Sequence, residues 1–159
     1  MVIWIIGLSG SGKSYLARNI CKKFKKKKII WIDGDDVRKY ITYNLQYSIK
    51  DRKKNSLIIS NICKFLEKKG FIVICSILSI FKDHQKRNRK LFKRYIQIYI
   101  KSNIEKLKKI NSKKIYNKNK NVVGLDIKFP EPYKSDFIIK KKNNQFELKT
   151  LKKIYNKII

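Results

Sequence analysis

A phosphate-binding sequence near the start of the chain restricts what the chain can fold into. Residues 7–14 read GLSGSGKS, which fills every fixed position of the pattern GxxxxGK[ST]. The preceding run, 1–6, is short and apolar and suits a buried parallel strand. The following run, 13–27, carries apolar residues at the spacing of one helix face. Because this context is what the motif requires, the sequence predicts a functional strand, glycine loop and helix rather than an ordinary glycine turn.

The residue types of this loop indicate how it would hold a polyphosphate. Glycines let backbone N–H groups approach the phosphate oxygens, and the N-terminus of the following helix adds a favourable dipole. Lys13 is expected to reach the β- and γ-phosphates, and the Ser14 hydroxyl is expected to ligate Mg²⁺.

The charge of the chain bears on its partners. The net charge is +30, from 41 Lys and Arg against 11 Asp and Glu. Nucleic-acid binding is one interpretation of this excess, because basic surfaces attract phosphate backbones. The lysines are scattered through every segment, however, whereas a nucleic-acid interface is typically a clustered patch. A compositional bias is therefore favoured, nucleic acid is not expected as a partner, and the charge should help to collect small polyanionic substrates.

Length and composition predict one globular domain over 1–159, with 43% hydrophobic residues. The cysteines, Cys21, Cys63 and Cys75, lie in apolar segments without CxxC spacing, which favours buried free thiols in a reducing compartment. His84 lies in a charged helical segment and is expected at the surface. The first residues are expected to form a core strand rather than a signal peptide, and no apolar run approaches the ~20 residues of a membrane span. We expect a cytoplasmic protein without a membrane partner.

Apolar and amphipathic segments alternate along the chain, and this order is typical of a parallel sheet with right-handed crossovers. Ligands bind such sheets beyond the carboxyl ends of the strands. The run 71–78 is strongly apolar and is expected to be the central strand, and 111–128 is predicted to be a polar loop or lid. The predicted strands are 1–6, 29–32, 71–78, 95–100 and 137–139, and the predicted helices are 13–27, 35–43, 51–69, 82–92, 104–110 and 146–159.

Carboxylates follow the second predicted strand, where the chain reads DGDDVR over 33–38. Asp33 and Asp35 are thereby placed at the carboxyl edge of a strand, beside the phosphate loop. Such carboxylates can hold Mg²⁺ through its waters or accept a proton from an attacking hydroxyl. The alternative is an Asp-Gly turn with Asp35 as a helix N-cap. Next to a phosphate loop, a role in phosphoryl transfer is favoured.

These segments resemble the adenylylsulfate kinase family, whose members transfer the γ-phosphoryl of ATP to the 3′-hydroxyl of adenylyl sulfate. The resemblance implies an α/β fold of the P-loop NTPase type, a three-layer sandwich with a parallel five-stranded sheet and a short lid. It rests on an ordered set of segments: GLSGSGKS at 7–14, DGDDVR at 33–38, Tyr47 followed by DRKKN at 51–55, ILSIF at 77–81, KKIY at 113–116, KNVVGLD at 120–126, PEP at 130–132 and DFII at 136–139.

The resemblance also implies ATP and Mg²⁺ as cofactors, a small nucleotide as acceptor, and roles for individual residues. Ser79 matches a serine described in the family as a phosphoserine site, although in-line transfer between two bound nucleotides needs no covalent intermediate. Since family members commonly dimerise, the resemblance admits a homodimer. The implied residues are Gly7, Gly10, Ser11, Gly12, Lys13 and Ser14 for ATP, Ser14 and Asp33 for the metal, Lys13, Asp33, Asp35 and Ser79 for catalysis, and Asp35, Arg38, Tyr47, Arg52, Asn55, Leu78, Ser79, Lys113 and Asn121 for the acceptor.

The chain departs from the family pattern on the acceptor side. Leu57 and Ile110 stand near positions where the family has arginine, Val122 replaces a phenylalanine that stacks on the acceptor adenine, and the segment 116–120 is shorter. A lost stacking contact costs about 1–3 kcal/mol. The acceptor could therefore be adenylyl sulfate or, as in a related branch of capsule biosynthesis, cytidine diphosphoramidate. A basic nucleic-acid-binding protein and an inactive kinase remain as alternatives, the latter disfavoured because Lys13 and both acids are retained.

Overall fold

A five-stranded parallel sheet organises the chain. The computed structural model describes residues 1–110, 116, 120–142 and 145–159. The strands are β1 (Val2–Gly7), β2 (Ile29–Asp33), β3 (Ile72–Ile77), β4 (Tyr95–Ile100) and β5 (Phe137–Ile139). They follow one another in space in the order β2-β3-β1-β4-β5, so that β1 lies at the centre and pairs with both β3 and β4.

Helices cover both faces of this sheet. Successive residues of β1 point to opposite faces, so Ile3 and Ile5 pack into one core cluster and Trp4 into another. The first cluster includes residues of α1 and α6, and the second includes residues of α2 and α3. The three-layer sandwich is thereby confirmed. The helices are α1 (Lys13–Lys23), α2 (Gly34–Tyr40), α3 (Ile49–Lys68), α4 (Lys82–Leu91), α5 (Ile104–Ile110) and α6 (Leu148–Ile158).

The predicted strand positions are confirmed to within a residue, but the expectation that 71–78 forms the central strand is wrong. Both β1 and β3 are buried on both faces, so apolar content does not distinguish the centre of the sheet from its neighbour. The order of the strands in the sheet is set instead by the helical connections between them. Several helix ends also differ, since α2 ends at Tyr40 instead of 43 and α3 begins at Ile49 instead of 51. Helix α1 ends at Lys23 instead of 27, because its continuation would place Lys26 and Lys27 four residues after Lys22 and Lys23, where like charges repel.

A short hairpin precedes the last helix and has no counterpart in the sequence-based prediction. Strands β6 (Lys141–Lys142) and β7 (Gln145–Phe146) pair antiparallel, and α6 starts at Leu148 instead of 146. Strands of two residues are too short to leave a periodic pattern, which explains the omission.

The expectation that His84 is exposed is wrong. Its side chain is buried, its Nδ1 lies 3.1 Å from the Ser56 hydroxyl, and its ring packs 5.2 Å from that of Phe81. Burial lowers the pKa of His84. Helix α4 is highly charged, but His84, Gln85 and Asn88 form a narrow buried face on it, which the overall charge of the segment conceals.

The cysteines are free thiols. Cys63 and Cys75 are buried, as predicted, whereas Cys21 is only half-buried. Burial raises the pKa of the Cys21 and Cys75 thiols. Within the described ranges, every helix is too short or too polar to cross a membrane.

Candidate active site

A cavity of about 580 Å³ opens at the carboxyl ends of β1, β2 and β3. This is the edge at which parallel sheets bind ligands. Most of the residues predicted for the site line this one cavity, including residues far apart in sequence. They are Gly10, Gly12, Lys13, Ser14, Asp33, Asp35, Arg38, Tyr47, Arg52, Asn55, Leu78 and Asn121.

The phosphate loop joins the central strand to α1. Gly10 (φ 76°) and Gly12 (φ 100°) adopt the left-handed backbone conformation, which residues with a side chain rarely tolerate. Gly12 is the N-cap of α1, and the first N–H groups of that helix have no acceptor inside the helix. The loop therefore presents backbone donors at the positive end of a helix, which is an arrangement suited to an anion.

Lys13 and Tyr116 fix the conformation of this loop. The Lys13 ammonium donates to the Leu8 carbonyl over 2.8 Å and lies at the cavity wall. The Tyr116 hydroxyl donates to the Ser9 carbonyl over 2.7 Å. Tyr116 belongs to the predicted lid, so this hydrogen bond places one lid residue against the phosphate loop.

Asp33 connects the phosphate loop to the neighbouring strands. Its Oδ2 accepts hydrogen bonds from the hydroxyls of Ser14 and Ser76, each over 2.8 Å, and Ser76 Oγ in turn accepts from the Trp31 indole over 2.9 Å. Its Oδ1 accepts from the backbone N–H of Asp35 over 2.9 Å, which makes Asp33 the N-cap of α2. The alternative that Asp35 is the N-cap is therefore wrong. The carboxylate is held on both oxygens.

Two arginines meet over one aromatic ring on the other side of the cavity. The guanidinium carbons of Arg38 and Arg52 lie 4.8 Å and 5.2 Å from the ring centroid of Tyr47. Arg38 donates to the Gln46 carbonyl over 2.7 Å, and Arg52 donates to the carbonyls of Tyr47 and Asn121 over 2.9 Å and 3.0 Å. Partial burial and the nearby Arg38 charge lower the pKa of Arg52. Asp35 balances part of this charge, and the cationic pair is preorganised to bind a further anion.

A turn closes the wall of the cavity beside these arginines. Asn121 has a left-handed backbone (φ 62°), and the Val122 N–H donates to the Asp126 carboxylate over 2.9 Å. The Val122 carbonyl accepts from several following N–H groups, and its side chain is buried while it lines the cavity. Asn55 is also buried, and its Oδ1 accepts from the Thr42 hydroxyl over 2.6 Å. Val122 thus contributes an aliphatic side chain to the cavity wall beside Asn121.

Three of the predicted site residues that the structure describes do not line the cavity. Gly7 and Ser11 are buried in the base of the phosphate loop. Ser79 is also buried, and its hydroxyl accepts from the Gln85 amide over 3.4 Å. Lys113 lies outside the described residues. The roles assigned to all four stay predictions.

Other lining residues were not assigned by the sequence analysis. Ser76 could have been found, because it is the one hydroxyl in the otherwise apolar strand IVICSI. Tyr15 follows the motif directly but matches no pattern that marks a ligand contact. The unassigned lining residues are Ser9, Tyr15, Gly34, Ser76, Ile77, Lys120, Val122 and Val123.

The sheet, the loop after its central strand β1 and the acid that ends β2, on the far side of β3, define a P-loop kinase. Comparison with known proteins gives the family: residues 1–140 match the family model of adenylylsulphate kinase. The chain belongs to this family, and it is an ATP-dependent phosphotransferase of that type. The family and the enzyme class expected from the sequence are confirmed.

The similar proteins include kinases that are named for two different acceptors. A cytidine diphosphoramidate kinase from Campylobacter jejuni is 35% identical over 145 residues, which are 87% of this chain and 84% of the relative. An adenylyl-sulfate kinase from Thermodesulfovibrio yellowstonii is 34% identical over 147 residues, covering 87% and 74% of the two chains. The structure of the Mycobacterium tuberculosis APS kinase CysC in complex with AMPPNP and APS has a TM-score of 0.83 at 20% identity, covering 99% and 96%. That likeness confirms the fold.

Proposed function

We propose that this chain transfers the γ-phosphoryl of Mg-ATP to a ribose hydroxyl of a small nucleotide acceptor. The observation that carries the proposal is the Asp33 carboxylate, which binds Ser14 of the phosphate loop and faces the same cavity as the paired arginines. A donor site, an acid and a second anion site thereby meet in one enclosed space. Catalysis of phosphoryl transfer consists mainly of such positioning and of charge stabilisation.

The donor half of the cavity suits ATP and Mg²⁺. The loop 7–14 supplies backbone donors, and Lys13 supplies an ammonium for the β- and γ-phosphates. Mg²⁺ is usually held by one or two protein oxygens together with phosphates and waters. Ser14 Oγ and Asp33 Oδ2, 2.8 Å apart, are oxygen ligands of the required kind. The bound ion would neutralise charge on the phosphates.

The acceptor half holds the second polyanion. Arg38 and Arg52 would bind its phosphate or phosphate-like groups, with Tyr47 fixing both guanidinium planes. The acceptor hydroxyl then lies towards Asp33, which accepts its proton as the oxygen attacks the γ-phosphorus. The bond between the γ-phosphorus and the β,γ-bridging oxygen breaks, and ADP leaves. Cationic side chains at the cavity wall (Lys13, Arg38, Arg52, Lys120) outnumber the acids (Asp33, Asp35) and offset the repulsion between the nucleotides.

The acceptor is either adenylyl sulfate or cytidine diphosphoramidate. The family match favours the first. The second is supported by Val122, a small aliphatic side chain in the cavity wall that cannot stack on a purine, and by the Campylobacter jejuni relative. The assignments of one domain to 1–159, a lid to 111–128, a homodimer and the cytoplasm are further predictions.

A panel of acceptors assayed with Mg-ATP tests the proposed function. We expect ADP release only when a nucleotide acceptor is present, with a kcat/KM at least 10-fold higher for one of the two candidates than for the other. Turnover of adenylyl sulfate alone would exclude the cytidine derivative. Equal and acceptor-independent ADP release, or salt-sensitive binding of RNA without any transfer, would contradict the kinase proposal.

Replacement of Arg52 by alanine tests the acceptor site. Loss of a charge-assisted contact is worth about 1.5–3 kcal/mol, so we expect the acceptor KM to rise roughly 10- to 100-fold while the KM for ATP stays within about two-fold. Lys54→Ala is the matched control, because Lys54 is exposed on the same helix and carries the same charge. A change in the KM for ATP alone would show that the acceptor site has been assigned to the wrong residues.

A further inference from the structure

A lysine from the C-terminal hairpin lies against the phosphate loop. Lys141 on β6 pairs in register with Phe146 on β7, and this turn of the chain brings its ammonium back to Gly12. A Cβ built on Gly12 would overlap the Nζ and Cε atoms of Lys141 and would lie 3.5 Å from Cζ of Phe146. The absence of a side chain at Gly12 therefore leaves the space that the Lys141 side chain fills.

Aromatic rings hold this lysine in place. The Lys141 ammonium lies 5.5 Å from the ring centroid of Phe146, within the range of a cation–π contact. The Phe146 ring is buried and packs 6.1 Å from the ring of Tyr15, which follows the phosphate loop directly and lines the cavity. Tyr15, Phe146 and Lys141 thus form one contiguous group at the loop.

The electrostatic surroundings of Lys141 are unfavourable without an added anion. Its side chain is half-buried, and burial lowers its pKa, an effect that the nearby Tyr15 phenol opposes. Among the residues that the structure describes, no carboxylate forms an ion pair with it. It also lies beside Gly12, the N-cap of α1, where the helix dipole is positive. A negative group beside this partly desolvated ammonium would offset the cost of its burial.

We propose that Lys141 is a second ammonium contact for the polyphosphate of the donor nucleotide, acting next to Lys13, and that Phe146 positions it. This inference rests on the assignment of the loop 7–14 to the donor phosphates. Lys141 lies just beyond residues 1–140, the part of the chain that matches the family model. The bound phosphates supply the anion that the site lacks.

Nucleotide binding by Lys141→Gln tests the inference, measured by titration calorimetry with Mg-ATP, Mg-ADP and adenosine. We expect the Kd for ATP and ADP to rise about 10- to 100-fold, as for loss of one hydrogen bond to a charged group, and the Kd for adenosine to stay unchanged. Lys140→Gln is the matched control, since Lys140 is an exposed neighbour of the same charge. Its binding should stay within about two-fold of the unaltered protein, because a single screened surface charge contributes little.

Two further measurements separate this inference from the proposed function. The melting temperature of Lys141→Gln without nucleotide should equal or exceed that of the unaltered protein, because an uncompensated charge is removed, and its ATP-induced increase should be smaller. If Lys141→Gln binds ATP as well as Lys140→Gln does while Lys13→Ala binds ATP more weakly, the inference about Lys141 is wrong and the donor site stands. If Lys13→Ala binds ATP normally, the donor site itself is wrongly assigned.

Discussion

Replacement of Lys13 by alanine is expected to reduce kcat about a thousand-fold or more. The ammonium lies at the cavity wall within the phosphate loop. From there it can stabilise the negative charge that develops on the phosphoryl group during transfer. Its removal leaves the backbone donors to bind phosphate but not to stabilise the transition state. Coupled measurement of ADP release at saturating acceptor gives the value directly.

A matched control makes this result specific. Lys22 lies on the same helix, is exposed and carries the same charge, so Lys22→Ala should retain full turnover. Lys13 makes a hydrogen bond of 2.8 Å to the Leu8 carbonyl, and the loss of this hydrogen bond should cost only about 1 kcal/mol of stability. Folded Lys13→Ala protein with near-normal turnover would contradict the assignment of the loop.

The donor half of the site could be predicted from the sequence because its parts are contiguous. Strand, glycine loop and first helical turn occupy 1–14, and each element follows from local rules: an apolar run, glycines with positive φ and a helix N-terminus. Asp33 could also be predicted from the sequence, because it ends the next strand along the chain. Parallel strands bring such carboxyl ends to one edge, and its contact with Ser14 is the result of that geometry.

The acceptor half could not be derived from local pattern. Tyr47, Arg52 and Asn121 lie on separate segments, and it is tertiary packing that joins them through the hydrogen bond from Arg52 to the Asn121 carbonyl. Only the family resemblance linked them in advance. His84 shows the same limit, since it is a polar residue whose surroundings are decided by elements distant in sequence.

The C-terminal hairpin shows where the resemblance itself ends. Two-residue strands carry no periodicity, and the composition around 141–146 resembles the lysine-rich surface elsewhere in the chain. The position of Lys141 against Gly12 is therefore visible only in three dimensions. From composition alone, Lys141 would be counted as a solvated surface lysine. In the structure its ammonium lies beside the phosphate loop.

The isosteric change Asp33→Asn is expected to lower kcat about 10²- to 10⁴-fold while the fold is retained. Asparagine caps helices as well as aspartate does, so its Oδ1 can still accept from the Asp35 N–H, and its amide can still bond to the hydroxyls of Ser14 and Ser76. It cannot take a proton from the acceptor hydroxyl, and it is a poorer magnesium ligand. Turnover measured against Mg²⁺ concentration should show both losses.

Asp36→Asn separates the catalytic role of Asp33 from its role as an N-cap. Asp36 is exposed in the first turn of the same helix, so both variants lose one negative charge near the positive end of α2, worth about 0.3–1 kcal/mol. Their melting temperatures should therefore fall by similar small amounts, whereas only Asp33→Asn should lose activity and require more Mg²⁺. If the two variants lost activity equally, Asp33 would be a helix cap and nothing more, and the proton of the acceptor hydroxyl would need another base.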